Sequence, residues 1–370
     1  MHIGIAGAGL LGRLLALELS RAGHRVDVFD PASGPGPKAE SGTEAAAWTA
    51  AGMLSPVAEL ECADARVFNW GLRSCYLWPS IVHGLGEPVG LSLRGSLMLA
   101  HRGDVGAAQR VISLLQSKAG APYQPELLDA ARLAELEPSI QGPALSWLLP
   151  CEGQIHTVQA MHALAAQATR QGTHWHWRST VHAVEPGMLR VHTQPSHRRT
   201  HAEGVRLTQP EQEERLRFDH VFDVRGVGAR PQLPVRGVRG EVFWLHAPGV
   251  QLSRAVRLMH PRHTVYIVPR PDDMLVVGAS EIESEDRSPV SLRSTLELLS
   301  AAHSVIPELA EARVVHSETN LRPALPDNLP LLSREKGITR INGLYRHGWL
   351  VAPAMVEEAL AGGCREHYCN

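Results

Sequence analysis

Gly7-Ala8-Gly9-Leu10-Leu11-Gly12 is the stretch that decides the fold. It is a GxGxxG turn, and its flanks give it meaning. His2 to Ala6 in front of it is a short apolar strand. Behind it, Leu11, Leu14, Leu15 and Leu19 recur at helical spacing until Ala22-Gly23, where a glycine suits a left-handed helix cap. A second strand, Arg25 to Phe29, ends at Asp30, 18 residues past Gly12. Strand, glycine turn, helix, strand and acid together form the context that a dinucleotide fingerprint requires. Gly7 permits the tight turn, and Gly9 lets the backbone around Leu10 and Leu11 approach a pyrophosphate. Gly12 lets the helix pack on the strand, and the helix N-terminus offers positive potential to the phosphates. Asp30 is placed to accept hydrogen bonds from a ribose hydroxyl. The fingerprint does not separate NAD from FAD, because both carry the same ADP half.

Composition narrows the partners. The 370 residues, 44% hydrophobic and 20% charged, suffice for one large or two ordinary domains, which excludes disordered, collagen-like and small disulfide-scaffold classes. A formal charge of -2 provides no excess of positive charge to neutralise a phosphate backbone or hold an anionic membrane, so neither nucleic acid nor membrane is expected as a partner. Cys62, Cys75, Cys151, Cys364 and Cys369 are odd in number and scattered, without a ligand spacing among them, which reads as free thiols in a reducing compartment. No apolar run approaches the roughly 20 residues that span a bilayer. A cytoplasmic location and no metal site are expected.

Beyond Asp30, a Gly/Pro/Ser-rich loop (Pro31 to Gly42) leads to an Ala-rich segment closing on Gly52-Met53-Leu54, whose small residues allow close approach to a flat ligand. Helices are predicted over Ala63–Leu85, Val105–Ala119, Thr157–Gln171, Ser291–Ser304 and, at the C-terminus, from about Val356 to Gly362. Trp175 to Val184 reads as one strand continuing the nucleotide-binding sheet, residues 194 to 217 as a solvated hairpin, and Phe218 to Val224 as a strand before a second glycine-bearing turn, Arg225-Gly226-Val227-Gly228-Ala229. Gly95–Ala100, Gly240–Leu245, Val256–Met259, Thr264–Pro269 and Met274–Gly278 follow at antiparallel-sheet spacing. Nucleotide-binding and antiparallel segments are therefore interleaved. The expected fold class is α/β, with a Rossmann-type domain (1–84, 143–232 and 317–370) and an antiparallel α+β substrate-binding domain (85–142 and 233–316).

Several separated motifs then point one way. The fingerprint with Asp30, Ala50-Ala51-Gly52-Met53-Leu54, the turn at Gly226, Tyr266-Ile267-Val268-Pro269-Arg270, Leu321-Arg322-Pro323 and Gly343 to Pro353 run in one order from Met1 to about Leu360. In this the chain resembles the FAD-dependent amine oxidases with the D-amino acid oxidase fold, most closely their glycine oxidase branch, which serves thiamine biosynthesis. The resemblance implies FAD as cofactor, a small amino acid or amine as substrate, oxygen as electron acceptor, and a homo-oligomer. It also implies the reaction. Hydride passes from the substrate Cα to flavin N5, the imine hydrolyses to an oxoacid and ammonia, and oxygen is reduced to hydrogen peroxide.

Roles carry over by position. Ala51, Gly52 and Met53 resemble the loop facing the flavin ring, Val181 the residue whose backbone meets the adenine, and Gly348, Trp349 and Leu350 the turn before the C-terminal helix whose amides meet the pyrimidine edge. Arg322 matches the arginine that clamps the substrate carboxylate through its planar fork. Tyr266 matches a tyrosine sharing that carboxylate, and Arg346 a basic residue lining the pocket. Glu281 is a departure, since it stands where the branch carries a methionine. A carboxylate there repels a second acidic group and attracts an amine if it faces the substrate, and does neither if it faces solvent beside Glu283 and Glu285. No catalytic role falls on a histidine; His101, His174, His192 and His201 read as surface or strand residues. Three other readings stay open: a dehydrogenase of D-amino acids using a non-oxygen acceptor, a secondary-amine oxidase, and a nucleotide-sensing module without catalysis.

Overall fold

The computed structural model describes residues 1–37, 45–193, 213–259 and 264–361. Its first layer is a six-stranded sheet with the spatial order Leu331–Glu335, Ile338–Asn342, His220–Asp223, His2–Ala6, Arg25–Asp30, His174–Trp177. All neighbouring pairs run parallel except the first. The central strands are buried apolar runs, as parallel strands covered on both faces must be. The helix Leu10–Arg21 buries nearly its whole surface between this sheet and the helices Thr157–Arg170 and Gly348–Ala361.

The second layer is an eight-stranded sheet in the order Arg313–Ala324, Arg236–His246, Met274–Gly278, Thr264–Arg270, Ala255–Met259, Ser96–Ala100, Leu145–Leu149, Glu126–Leu128. It is antiparallel apart from the pairing of Ala255–Met259 with Ser96–Ala100. Leu145–Leu149 and Arg313–Ala324 pair in this sheet, although they lie beyond and across the expected divisions at 143 and 317. Two three-stranded sheets complete the structure: Ser179–Glu185, Met188–Thr193 and Glu213–Arg217, and the short Met53–Leu54, Gly153–Ile155 and Leu91–Ser92. Among the described residues no helix is long and apolar enough to cross a membrane, and no group of His, Cys, Asp or Glu could hold a metal. Cys62, Cys75 and Cys151 are free thiols. Cys364, Cys369 and His201 lie outside the described residues, as does the hairpin expected at 194–217 except for its last strand.

Two expectations need correction. Trp175–Val184 is not one strand: Arg178, at φ +57°, breaks it into an edge strand of the six-stranded sheet and the first strand of a separate antiparallel sheet. The C-terminal helix begins at Gly348, not near Val356, so Gly348, Trp349 and Leu350 are its first turn and not the turn before it. Pro353 sits inside that helix and cannot donate to the Trp349 carbonyl. The indole Nε1 of buried Trp78 donates to that carbonyl instead, at 3.1 Å, and the displaced Ala354 N–H finds Ser74 Oγ at 3.1 Å.

Candidate active site

A cavity of ≈510 Å³ runs between the two large sheets, past the C-terminal ends of the strands His2–Ala6, Arg25–Asp30 and His220–Asp223. That is where a doubly wound sheet binds ligands. At its first end Gly7 turns at φ +107°, and its N–H donates to Phe29 O at 2.8 Å. A Cβ on Gly12 would fall 1.9 Å from Gly7 O, so the helix can approach the strand only through a glycine. Asp30 accepts from Ala8 N (2.7 Å) and Ala32 N (2.9 Å), one donor on each oxygen, which leaves lone pairs toward the cavity. Burial raises its pKa against those hydrogen bonds. Arg13, buried behind the turn, ties Ala8 O, Met161 O and Pro35 O together.

On the facing wall, Arg225 is forked onto Asp223 at 2.8 and 2.7 Å and donates through Nη1 to Val181 O at 2.9 Å. Gly226, at φ +57°, follows and lines the cavity. In the middle stands the segment Ala45–Met53, in which Ala46–Thr49 forms a single helical turn. Gly52 adopts φ +68°, and a Cβ there would lie 2.2 Å from Ile155 O. The segment is held by Ile155 N to Gly52 O (2.8 Å) and by Arg270 Nη2 to Ala51 O. Opposite it the first turn of Gly348–Ala361 opens onto the cavity, so that unpaired N–H groups and the positive end of the helix dipole face whatever occupies it.

At the far end the cavity closes on a polar chamber. Arg322, from the edge strand Arg313–Ala324, donates to Ser280 O at 3.0 Å and lies flat over Gly240. Tyr266 projects from the neighbouring region of the sheet with its hydroxyl against the Arg322 guanidinium. Burial raises the Tyr266 pKa, so the phenol is a neutral donor. Glu59, buried, accepts from Arg346 Nε (2.9 Å) and Arg257 Nη2 (3.3 Å), and His347 Nδ1 stands 3.2 Å from it. Burial alone pushes the Glu59 carboxyl up, but Arg346, His347 and Arg257 outweigh it and hold the group well below the usual carboxylate range. Glu281, at the mouth with 51% of its side chain exposed, lies 3.6 Å from Arg346 Nη1. It also bonds the Tyr345 hydroxyl, whose pKa rises through burial first and Glu281 second.

Every residue singled out in the sequence meets at this one cavity except Gly12, which packs behind it. Arg322, Tyr266, Arg346 and Glu281 share the chamber. Gly7, Gly9, Leu10, Leu11, Asp30, Ala50, Ala51, Gly52, Met53, Val181, Gly226, Gly348, Trp349 and Leu350 line the rest. Sequence reading missed Glu59, Arg257, His347 and Gly240. Glu59 and its partners are separated by 198 and 287 residues, so no spacing could reveal them.

The profile of the "FAD dependent oxidoreductase" family matches residues 2–360. A protein of Rhizobium etli named as a thiamine biosynthesis oxidoreductase, ThiO, is 35% identical over 97% of this chain and 95% of its own. The glycine oxidase of Geobacillus kaustophilus is 26% identical over 95% of this chain and 89% of its own. The crystal structure of glycine oxidase from Geobacillus kaustophilus superposes with a TM-score of 0.80 at 24% identity, covering 98% of this chain and 94% of that one. The iminodiacetate oxidase of Chelativorans gives 0.77 at 22% identity, covering 97% and 95%. The residues present fit the family's cofactor: the glycine turn, the free lone pairs of Asp30, the close-packed Gly52 loop and the opening turn of the last helix line one continuous cavity.

Proposed function

The chain belongs to the FAD-dependent oxidoreductase family, and from that premise we propose that it oxidatively deaminates a small amino acid or amine. Its net reaction consumes amine, oxygen and water and yields an oxoacid or aldehyde, ammonia and hydrogen peroxide. One observation carries the reading. A guanidinium and a neutral hydroxyl, Arg322 with Tyr266, stand together at one end of a cavity whose other end is a dinucleotide fingerprint.

The proposed roles follow from the geometry. Arg322 holds the substrate carboxylate with two charge-assisted hydrogen bonds, and the neutral Tyr266 hydroxyl supplies a third. Fixing the carboxylate at one end sets where the substrate Cα lies in the cavity, and positioning of this kind can provide several kcal/mol of the barrier reduction. Glu281 at the mouth favours the approach of an amine over a second acid. Gly9, Leu10 and Leu11 would hold the pyrophosphate, Asp30 the ribose, the Val181 and Gly226 walls the adenine side, and Ala50 to Met53 the face of the ring system. The N–H groups of Gly348, Trp349 and Leu350 would face the pyrimidine edge of the bound flavin, where donors favour negative charge. The chemistry that FAD supplies when bound is two-electron acceptance from the substrate Cα and return of those electrons to oxygen.

The relatives named glycine oxidase and ThiO support glycine or a close analogue as substrate and a place in thiamine biosynthesis. The test is anaerobic addition of glycine, sarcosine and D-alanine to the purified holoenzyme, with the flavin spectrum followed, and then oxygen uptake and peroxide measured in air. Bleaching by one amine with stoichiometric peroxide is expected. A flavin that none of them bleaches overturns the reading, and bleaching without oxygen uptake replaces the oxidase by a dehydrogenase.

A further inference from the structure

We propose that Glu59, assisted by Glu281, neutralises Arg346 and so restricts the chamber to substrates bearing a single carboxylate. This rests on the amine oxidase reading above and names the substrate class within it. A second arginine in a substrate chamber would ordinarily invite a second carboxylate, and Arg346 lies in the same chamber as Arg322. Its guanidinium is already engaged on both sides. Nε donates to Glu59 Oε2 at 2.9 Å, and Nη1 lies 3.6 Å from Glu281 Oε2.

Arg257 is paired with the other Glu59 oxygen at 3.3 Å. Arg322, by contrast, is held by the carbonyl oxygens of Ser280 and Arg239, which orient a guanidinium without neutralising it. Its charge therefore stays open to a substrate carboxylate, whereas that of Arg346 does not. A second carboxylate reaching Arg346 would have to displace buried Glu59 or lie between it and Glu281, and both cost affinity. Glu59 thus acts as a positioning residue, through Arg346, while Glu281 closes the mouth side. The sequence departure at Glu281 and the buried Glu59 are two halves of one device.

The test compares acetate, with one carboxylate, and malonate, with two, as ligands of the holoenzyme by titration calorimetry, beside turnover of glycine and iminodiacetate. In Glu59→Gln the malonate-to-acetate affinity ratio should rise about tenfold, as expected when a largely enclosed guanidinium loses its buried counter-charge. In Glu281→Gln, at a more exposed position, it should rise about threefold. The KM for iminodiacetate should fall in parallel, with kcat for glycine changing less. Adding Arg346→Gln to Glu59→Gln should abolish the gain, which a merely structural role of Glu59 would not predict. An unchanged ratio in a folded Glu59→Gln protein overturns the proposal. If that variant does not fold, an unchanged ratio in Glu281→Gln does so. A wild-type holoenzyme that binds neither acetate nor any amine removes the reading beneath it as well, whereas one that binds acetate but shows no shift in the variants leaves that reading standing.

Discussion

Gly240 lies directly beneath the Arg322 guanidinium: a Cβ on residue 240 would fall 2.6 Å from Cζ and from both terminal nitrogens. The two strands pair in antiparallel register, with Gly240 opposite Asn320 and Val238 opposite Arg322, so the arginine folds diagonally across the ladder onto the glycine. Gly240→Ala should therefore lift the guanidinium away from Ser280 O and misplace the carboxylate clamp. We expect KM for the amino acid substrate to rise about tenfold with a smaller change in kcat, because a mispositioned clamp loses ground-state binding first. Acetate affinity should fall in parallel while the melting temperature changes little. An acetate affinity equal to wild type would show that Arg322 does not depend on this floor.

Arg322→Ala removes the clamp itself. Truncating one partner of an enclosed, hydrogen-bonded charge pair typically costs about 2 to 5 kcal/mol, so the apparent KM should rise by about thirtyfold or more. An apparent KM within a factor of about two of wild type, a change too small for a lost ion pair, would falsify the carboxylate role. Arg322→Lys should recover only part of the loss, since an ammonium cannot reproduce the planar fork.

How much of this was legible in the sequence follows from how local each feature is. The strand, turn, helix and strand from His2 to Asp30 are written in periodicities of two and 3.6 and in glycine placement, and the structure reproduces them closely. The long edge strand Arg313–Ala324 carries no such signal, because its first five residues are all exposed and show no alternation. The break at Arg178 gave no signal, since a left-handed conformation at a non-glycine residue is set by its surroundings, here Arg178 N donating to Ala32 O at 2.8 Å. Arg322 and Tyr266 were placed by resemblance, not by physics, because neither carries a local pattern. Glu59 had neither resemblance nor spacing to reveal it, and only the folded chain brings it to Arg257 and Arg346.

The pH dependence of stability should report on Asp27. This buried carboxylate accepts from His2 Nε2 and His176 Nε2, both at 2.6 Å, and so joins three adjacent strands of the six-stranded sheet. Burial raises its pKa, but the hydrogen bonds and charges of His176 and His2 outweigh that and leave it below 3.8. Since the folded carboxyl titrates below its unfolded value, the clamp contributes its full stability above that value and loses it as pH falls through the folded pKa. Asp27→Asn should cost about 1 to 3 kcal/mol at neutral pH. Urea unfolding at pH 7 and at about pH 4, 3 and 2 should show the difference between the two proteins holding down to about pH 4 and shrinking below it, as the folded carboxyl takes up its proton. A difference independent of pH would assign the loss to packing.

The C-terminal helix makes the last prediction, through the bond that substitutes for the N–H missing at Pro353. Pro353 leaves the Trp349 carbonyl without its helical donor, and Trp78 Nε1 fills that place at 3.1 Å from within the buried core. Trp78→Phe removes the donor and part of the side-chain volume, for a cost of about 2 to 4 kcal/mol. Because Trp349 belongs to the turn that opens onto the cavity, FAD retention on dialysis should fall with stability. A double-mutant cycle separates the hydrogen bond from the volume. In a Pro353→Ala background the helix recovers its own N–H at position 353, so the carbonyl no longer depends on Trp78. The cost of Trp78→Phe should then shrink by about 1 kcal/mol, the net worth of one buried hydrogen bond. If the cost is the same in both backgrounds, the two residues are not coupled through Trp349 O.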